Sequence, residues 1–309
     1  MNGPKLAIQT RELTRNFGSR IAVNQVNLEI QQGEMFSLLG TNGAGKTTTI
    51  KMLCGLLKPS SGEATLNGFS IKQSPQKIKE FIGVSPQETA IATHLTSQEN
   101  LLLMGGVCGL SATKSQSRAN ELMDLLEIEN RKDQARKLSG GLKRRLSIAM
   151  ALMSDPEILF LDEPTLGLDP HARRSVWHYI QKLKGEKTIL LTTHYLEEAD
   201  TLADTIAIMD LGKVIAKGTA SELKQMYTST QTIRISGTPI SPELVREFSD
   251  HGLAAMATGD SLELIGIELD IYHVIDQLRN HGVTISSIQM TEPSLEDVFI
   301  QLTGKQATS

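Results

Sequence analysis

The sequence predicts an α/β fold: a mixed sheet carrying an antiparallel β subdomain and a helical subdomain, followed by a small α+β domain of ferredoxin-like order. Three observations carry this expectation. Short continuous apolar runs at Met35-Phe36-Ser37-Leu38-Leu39, Ile158-Leu159-Phe160-Leu161 and Leu190-Leu191-Thr192-Thr193 suit parallel strands covered on both faces. Helical spacing of apolar residues dominates from about residue 88 to 155. Beyond residue 227 the signals run strand, helix, strand, strand, helix, strand.

Residues 6 to 35 alternate apolar and polar, as antiparallel strands with one solvated face do, with turns at Phe17-Gly18-Ser19 and Gln31-Gln32-Gly33. A helix from Thr47 to Leu57 follows the first buried strand, and residues 62 to 71 add a short strand pair around Leu66-Asn67-Gly68. The stripe Leu101, Leu102, Ala119, Leu122, Leu125 and Leu126 marks the helical subdomain. A strand from Thr205 to Met209 and a helix from Ser221 to Met226 close the first domain, expected over residues 1–227, with 228–309 as the accessory domain. The polar stretch Tyr227-Thr228-Ser229-Thr230-Gln231 reads as the linker. Past it come strands at Thr232–Ile235, Ala254–Ala257, Leu262–Ile267 and Thr284–Gln289, with helices at Pro242–Asp250 and Ile271–Asn280. Ser294 and Asp297 form a capping box for a last helix from Leu295 to Leu302.

Composition excludes several function classes. At 309 residues and 33.7 kDa the chain suits one large domain and one small one. Net charge −4 and a pI near 6.0 argue against a nucleic-acid partner. Cys54 and Cys108 give no metal spacing and no disulfide framework, which points to a reducing, cytoplasmic location. The seven histidines form no ligand constellation. The longest apolar run, Leu101 to Leu110, is about half the length a membrane span needs. The opening Met1-Asn2-Gly3-Pro4-Lys5 lacks a secretory pattern. If cargo crosses a membrane, another chain supplies the channel.

The chemistry-bearing motifs stand in a fixed order. Gly40-Thr41-Asn42-Gly43-Ala44-Gly45-Lys46-Thr47-Thr48 lies between a strand and a helix and matches the loop whose backbone N–H groups wrap nucleotide phosphates. Lys46 is expected on the β- and γ-phosphates and the Thr47 hydroxyl on Mg²⁺. The Ile158–Leu161 strand ends in Asp162 and Glu163, and strand carboxyl ends are where ligands gather in such sheets. Asp162 suits the outer shell of the metal, and Glu163 suits a water attacking the γ-phosphorus in line.

Leu138-Ser139-Gly140-Gly141-Leu142, followed by a helical pattern through Met153, resembles the signature of ATP-binding cassette (ABC) ATPases. The resemblance spans residues 5 to about 225. It implies an ABC-type nucleotide-binding fold, ATP and Mg²⁺ as ligands, and a head-to-tail dimer of two copies with ATP between them. Ser139, Gly140 and Gly141 would cap a helix pointing at the γ-phosphate held by the opposite protomer, in keeping with the helix dipole. By the same resemblance Phe17 stacks on adenine, Gln87 touches Mg²⁺ and the attacking water, Asp169 lies on the loop near the facing site, and His194 contacts the γ-phosphate. Residues 88 to 110 would form the groove for a cytoplasmic helix of an integral membrane permease, holding this chain on the cytoplasmic face of the membrane. Leu142 replaces the glutamine common in this signature, so hydrolysis should persist with slightly altered nucleotide affinity. Lys143-Arg144-Arg145 reads as a solvated helix face. Thr291-Glu292-Pro293-Ser294-Leu295-Glu296-Asp297-Val298-Phe299 resembles a tail found in ATPases of type-2 ABC exporters. The function implied is ATP hydrolysis powering export through a separate permease. A soluble ABC ATPase uncoupled from transport would share every nucleotide motif. The small domain suits dimer support or regulation.

Overall fold

The computed structural model describes residues 5–129, 132–227, 231–267, 269–291 and 294–304. It divides into two compact units, one ending at Ala220 and the next beginning at Ser221. The expected linker residues 228–230, and residues 292 and 293 of the tail motif, lie outside the described residues.

The first unit opens with a hairpin, β1 (Leu6–Phe17) and β2 (Arg20–Gln31), turning at Gly18 in the left-handed region (φ 56) and pairing Phe17 with Arg20. β3 (Met35–Leu39) is buried throughout and feeds α1 (Lys46–Leu53). The sequence predicts that helix through Leu57, but Gly55 adopts φ 71 and the chain turns, so Leu56 and Leu57 both donate to the Lys51 carbonyl. β4 (Ser61–Leu66), β5 (Phe69–Ser70), α2 (Pro75–Lys79) and β6 (Ile82–Ser85) follow. The helical subdomain comprises α3 (Ser97–Val107), α4 (Ala112–Leu125) and α5 (Gly140–Leu152). A reciprocal capping box at Thr96 and Glu99 starts α3, and Ser139 accepts from the Leu142 N–H to start α5. The chain then alternates through β7 (Ile158–Asp162), α6 (Pro170–Lys182), β8 (Thr188–Thr193), α7 (Leu196–Leu202), β9 (Thr205–Asp210) and β10 (Lys213–Gly218).

Two sheets result, as expected. The antiparallel one has the order β2-β1-β4-β5 and the mixed one β10-β9-β3-β8-β7-β6. In the mixed sheet β9, β3, β8, β7 and β6 run parallel and only β10 is antiparallel. Both faces of β3, β7 and β8 are covered. One side packs on the helical subdomain through Leu159, Leu161 and Leu191, and the other packs on α1 and the antiparallel sheet through Phe36, Phe160 and Leu190. That double burial explains why these strands read as unbroken apolar runs.

The second unit contains all of α8 (Ala220–Tyr227) but its first residue, then β11 (Gln231–Thr238), α9 (Pro242–Asp250), β12 (Ala254–Thr258), β13 (Ser261–Gly266), α10 (Ile271–Asn280), β14 (Thr284–Thr291) and α11 (Leu295–Thr303). Its antiparallel sheet has the order β12-β13-β11-β14. Ile233, Ile235, Leu262 and Leu264 pack under Leu244, Phe248, Val274 and Leu278 to form a core of its own. α9 and α10 end alike, in His251-Gly252-Leu253 and His281-Gly282-Val283, with both glycines left-handed. Leu253 and Val283 donate back to Phe248 and Leu278, closing each helix with an apolar residue turned inward. Among the described residues no helix is long and apolar enough to cross a membrane.

Candidate active site

The phosphate loop, residues 40–48, rises from the carboxyl end of β3. Gly45 precedes α1 with φ 109, and a Cβ there would sit 2.4 Å from the Ala22 carbonyl. A Cβ on Gly40 would sit 2.3 Å from the Met209 carbonyl. The loop is pressed so closely on β2 and β9 that glycine is required at both points. Its backbone borders a cavity of about 430 Å³ lined by Phe17, Arg20, Ala22, Asn42, Gly43, Gly45, Lys46, Thr47, Thr48, Gln87 and Glu163.

Lys46 lies at the floor of this cavity. Its ammonium donates to the carbonyls of Gly40 (2.7 Å) and Thr41 (3.2 Å) and pairs with Glu163 Oε1 at 3.0 Å, both side chains being 5% exposed. Glu163 Oε2 lies 2.6 Å from His194 Nδ1. With the carboxylate ionised, that nitrogen carries the proton. Burial raises the Glu163 pKa, but the His194 hydrogen bond and the Lys46 charge outweigh it and hold the carboxyl below its ordinary range. Glu163 has φ 50, uncommon for a residue with a side chain. That conformation is fixed by its N–H, which donates to both the carbonyl and the hydroxyl of Thr192 at 3.1 Å.

Asp162 Oδ1 accepts from Thr47 Oγ1 (2.9 Å) and Thr192 Oγ1 (2.6 Å). The end of β7 is thereby tied to α1 on one side and β8 on the other. Thr47, Gln87 and Asp162 offer hydroxyl, amide and carboxylate oxygens, a donor set that fits Mg²⁺ arriving with phosphate. Among the described residues no group of three or more His, Cys, Asp or Glu could hold a metal alone.

Phe17 is 48% exposed at the cavity mouth, with the Arg15 guanidinium 4.6 Å from its ring centroid. Arg15 is itself anchored on the Lys58 carbonyl at 2.8 Å. Ser139, Gly140, Gly141 and Asp169 do not line this cavity. They cluster instead at the N-termini of α5 and α6, where Asp169 caps α6 by accepting from Ala172 N–H at 3.0 Å. A Cβ on Gly140 would meet Leu168 at 3.2 Å, and one on Gly141 would meet Ala172 at 3.1 Å. The two loops pack as one block.

Several residues in and around the site escape sequence reasoning. Arg20 and Ala22 line the cavity, and the hairpin pairing of Phe17 with Arg20 was the available signal. Thr192 was legible only as part of a strand, although it bonds both carboxylate-bearing residues. Glu198 is buried and accepts through Oε1 from Thr165 (2.7 Å) and Trp177 (2.8 Å). Burial raises its pKa against hydrogen bonding from Thr193, Thr165 and Trp177. The reading of Lys143-Arg144-Arg145 as a solvated face needs correction. Arg144 is 4% exposed, and Arg145 donates to the Leu126 and Glu127 carbonyls at 3.1 Å.

A phosphate loop after β3 of a largely parallel sheet, with two carboxylates at the end of β7, the second strand along from β3 with β8 between them, defines a P-loop nucleotide hydrolase. Residues 23–166 match the ABC transporter family, and residues 218–303 match the family described as ATP-binding protein DrrA1-3-like, C-terminal domain. The Nod factor export ATP-binding protein I of Bradyrhizobium diazoefficiens is 36% identical over 99% of this chain and 99% of its own. The daunorubicin/doxorubicin resistance ATP-binding protein DrrA of Streptomyces peucetius is 37% identical over 98% of this chain and 94% of its own. A solved ATP-binding subunit of an ABC transporter superposes with a TM-score of 0.64 at 30% identity, covering 72% of this chain and 93% of its own. The ATP-binding cassette MJ0796, solved as a dimer in a post-hydrolysis state bound to ADP and Pi, gives 0.62 at 28% identity, over 69% and 98%. The chain belongs to the ABC transporter family, in the type-2 exporter group of its ATPases. It is an ATP-binding, ATP-hydrolysing subunit that powers transport.

Proposed function

We propose that two copies of this chain bind head to tail with two ATP molecules between them and drive export through a separate membrane permease from the cytoplasmic face. The observation that carries this reading is the division of the motifs. Lys46, Thr47, Glu163 and Gln87 share one cavity, whereas Ser139, Gly141 and Asp169 stand outside it on helix N-termini suited to a phosphate brought by a second copy.

In this reading Phe17 stacks on adenine and the backbone of Gly40, Thr41, Asn42, Gly43, Ala44, Gly45 and Thr48 cradles the phosphates. Lys46 leaves Glu163 for the β- and γ-phosphates. Released from that pair, Glu163 accepts a proton from water as the water oxygen bonds to the γ-phosphorus and the bond from phosphorus to the ADP oxygen breaks. His194 keeps Glu163 oriented and faces the γ-phosphate. Mg²⁺, held by Thr47 and Gln87 with Asp162 behind them, would neutralise charge on the phosphate oxygens. Ser139, Gly140 and Gly141 direct the α5 N-terminus at the partner's nucleotide, and Asp169 lies beside it. Residues 1–227 would be the ATP-binding domain, with the helical subdomain at about 88–155 and residues 88–110 receiving the permease. Residues 228–309 would support or regulate the dimer.

The test is Glu163→Gln on a sizing column with ATP and Mg²⁺. The dimer should persist with ATP bound while turnover falls by roughly two to four orders of magnitude. Monomer at saturating ATP would reject the shared site, and ordinary turnover would remove Glu163 from the base role. Co-expression with a neighbouring polytopic membrane protein separates transport from a soluble role, since only the former predicts a complex with stimulated ATPase.

A further inference from the structure

Arg144 is buried, yet among the described residues no carboxylate forms an ion pair with it; its guanidinium is held by backbone carbonyls. Its Nη1 donates to the Pro86 carbonyl and its Nη2 to the Gln87 carbonyl, both at 2.8 Å. Burial pulls its pKa down, while the field of Glu198, Asp162 and Glu163 opposes this, and an arginine stays charged under such conditions. Burying a guanidinium on carbonyls alone is a costly way to fill space, and an apolar side chain would do that at less expense. What the fork provides is orientation. Two nitrogens on two consecutive carbonyls fix the peptide between Pro86 and Gln87 in both distance and tilt.

A second tether lies one turn along the same helix, where Ser147 Oγ and Ser85 Oγ are 2.9 Å apart. Residues 85–87 are therefore carried by α5. That helix begins at Ser139, about 7–8 Å from Arg144 along its axis, and a helix over that length moves as a rod. Gln87 lines the same cavity as Lys46 and Glu163. Arg145, the next residue, is spent differently. It bonds the end of α4 and, at 3.3 Å, the hydroxyl of Tyr179, and so braces the helix without touching Gln87.

We propose that Arg144 is a positioning residue that couples the two ATP sites: engagement of the partner's ATP by the start of α5 sets the position of Gln87 in the chain's own cavity. The inference rests on the head-to-tail dimer. Arginine is needed because lysine, with one point-like ammonium, cannot hold both carbonyls in register.

The experiment compares ATPase rate against ATP concentration for the full-length wild-type chain, Arg144→Lys and Arg145→Lys, each with its melting temperature. The wild-type chain should show cooperative turnover, with a Hill coefficient approaching about 2 for two coupled sites. Arg144→Lys should fall towards about 1 and lose at least about fivefold in kcat, with half-saturating ATP changed by no more than about twofold. Arg145→Lys should melt lower and stay cooperative. Arg144→Gln, which carries no charge to bury, is the second variant and should behave as Arg144→Lys. Retained cooperativity in folded Arg144 variants would overturn the coupling role and leave the dimer standing. Equal loss in Arg145→Lys, or failure of both Arg144 variants to fold, would assign Arg144 a structural role and overturn the inference as well. Non-cooperative turnover by a wild-type chain that stays monomeric with ATP would instead remove the dimer reading, and this inference with it.

Discussion

Glu163→Gln should bind ATP more tightly than the wild-type chain, independently of its effect on hydrolysis. Lys46 is neutralised by Glu163 at 3.0 Å in a site where each side chain is 5% exposed. Incoming phosphate must take Lys46 from that carboxylate. A hydrogen bond between charged groups contributes about 1.5–3 kcal/mol, and a neutral amide oxygen in its place retains about 1 kcal/mol. The substitution therefore lowers the competition by about 0.5–2 kcal/mol, a gain of roughly 2- to 30-fold in affinity. Repulsion between the Glu163 carboxylate and the γ-phosphate acts in the same direction, so ATP should gain more than ADP. Equilibrium binding without Mg²⁺, at protein concentrations too low to dimerise, isolates this term from turnover and association. An ATP affinity equal to or weaker than wild type would refute the competition, because among the described residues Glu163 is the carboxylate that pairs with Lys46.

Phe17→Ala should weaken ATP binding by about 1–3 kcal/mol through lost base stacking while leaving inorganic pyrophosphate binding unchanged, as competition against a fluorescent nucleotide would report. Thr192→Val keeps the side-chain shape but removes the bonds to Asp162 Oδ1 and from the Glu163 N–H. It should cost about 1.5–3 kcal/mol in denaturant unfolding and reduce turnover as Glu163 loses its anchor. Glu163 also sets a pH dependence. Its folded pKa lies below the unfolded value, so its contribution to stability is complete above about pH 4.3 and lost as pH falls through the folded pKa. The melting-temperature gap between wild type and Glu163→Gln should thus be constant from neutrality to about pH 5 and shrink below it; a gap that widens in acid would contradict the sign.

The buried strands and the order of the small domain were legible because double-sided burial and helix capping leave marks within single segments. The β7 run is apolar because it has two covered faces, and Ser294 with Asp297 sits before α11 as a capping box wherever that helix packs. Lys46, Thr47 and Glu163 were legible because the chemistry of phosphate needs those residue types at fixed spacing. Thr192 and Glu198 were not. Each acts through a partner about 30 residues away, which no local pattern encodes. Arg144 failed for a further reason. A run of three basic residues looks solvated, and only the packing of α5 against the end of β6 shows that the middle one turns inward. The premature stop of α1 at Leu53 is the converse case, since Gly55 was visible but its left-handed turn was not required by anything nearby.

The packing of Gly140 against Leu168 and of Gly141 against Ala172 has a genetic consequence. In the proposed head-to-tail dimer, the face that each chain offers to a second copy would be assembled from its own α5 and α6, without help from its phosphate loop. A chain with Lys46 replaced would still present a sound face, and a chain with Ser139 replaced would still have a sound cavity. Paired with each other, they would make one working site from two defective chains, whereas two Lys46 defects would make none. Mutations in this single chain would then fall into two complementation groups, divided by which side of the nucleotide they touch.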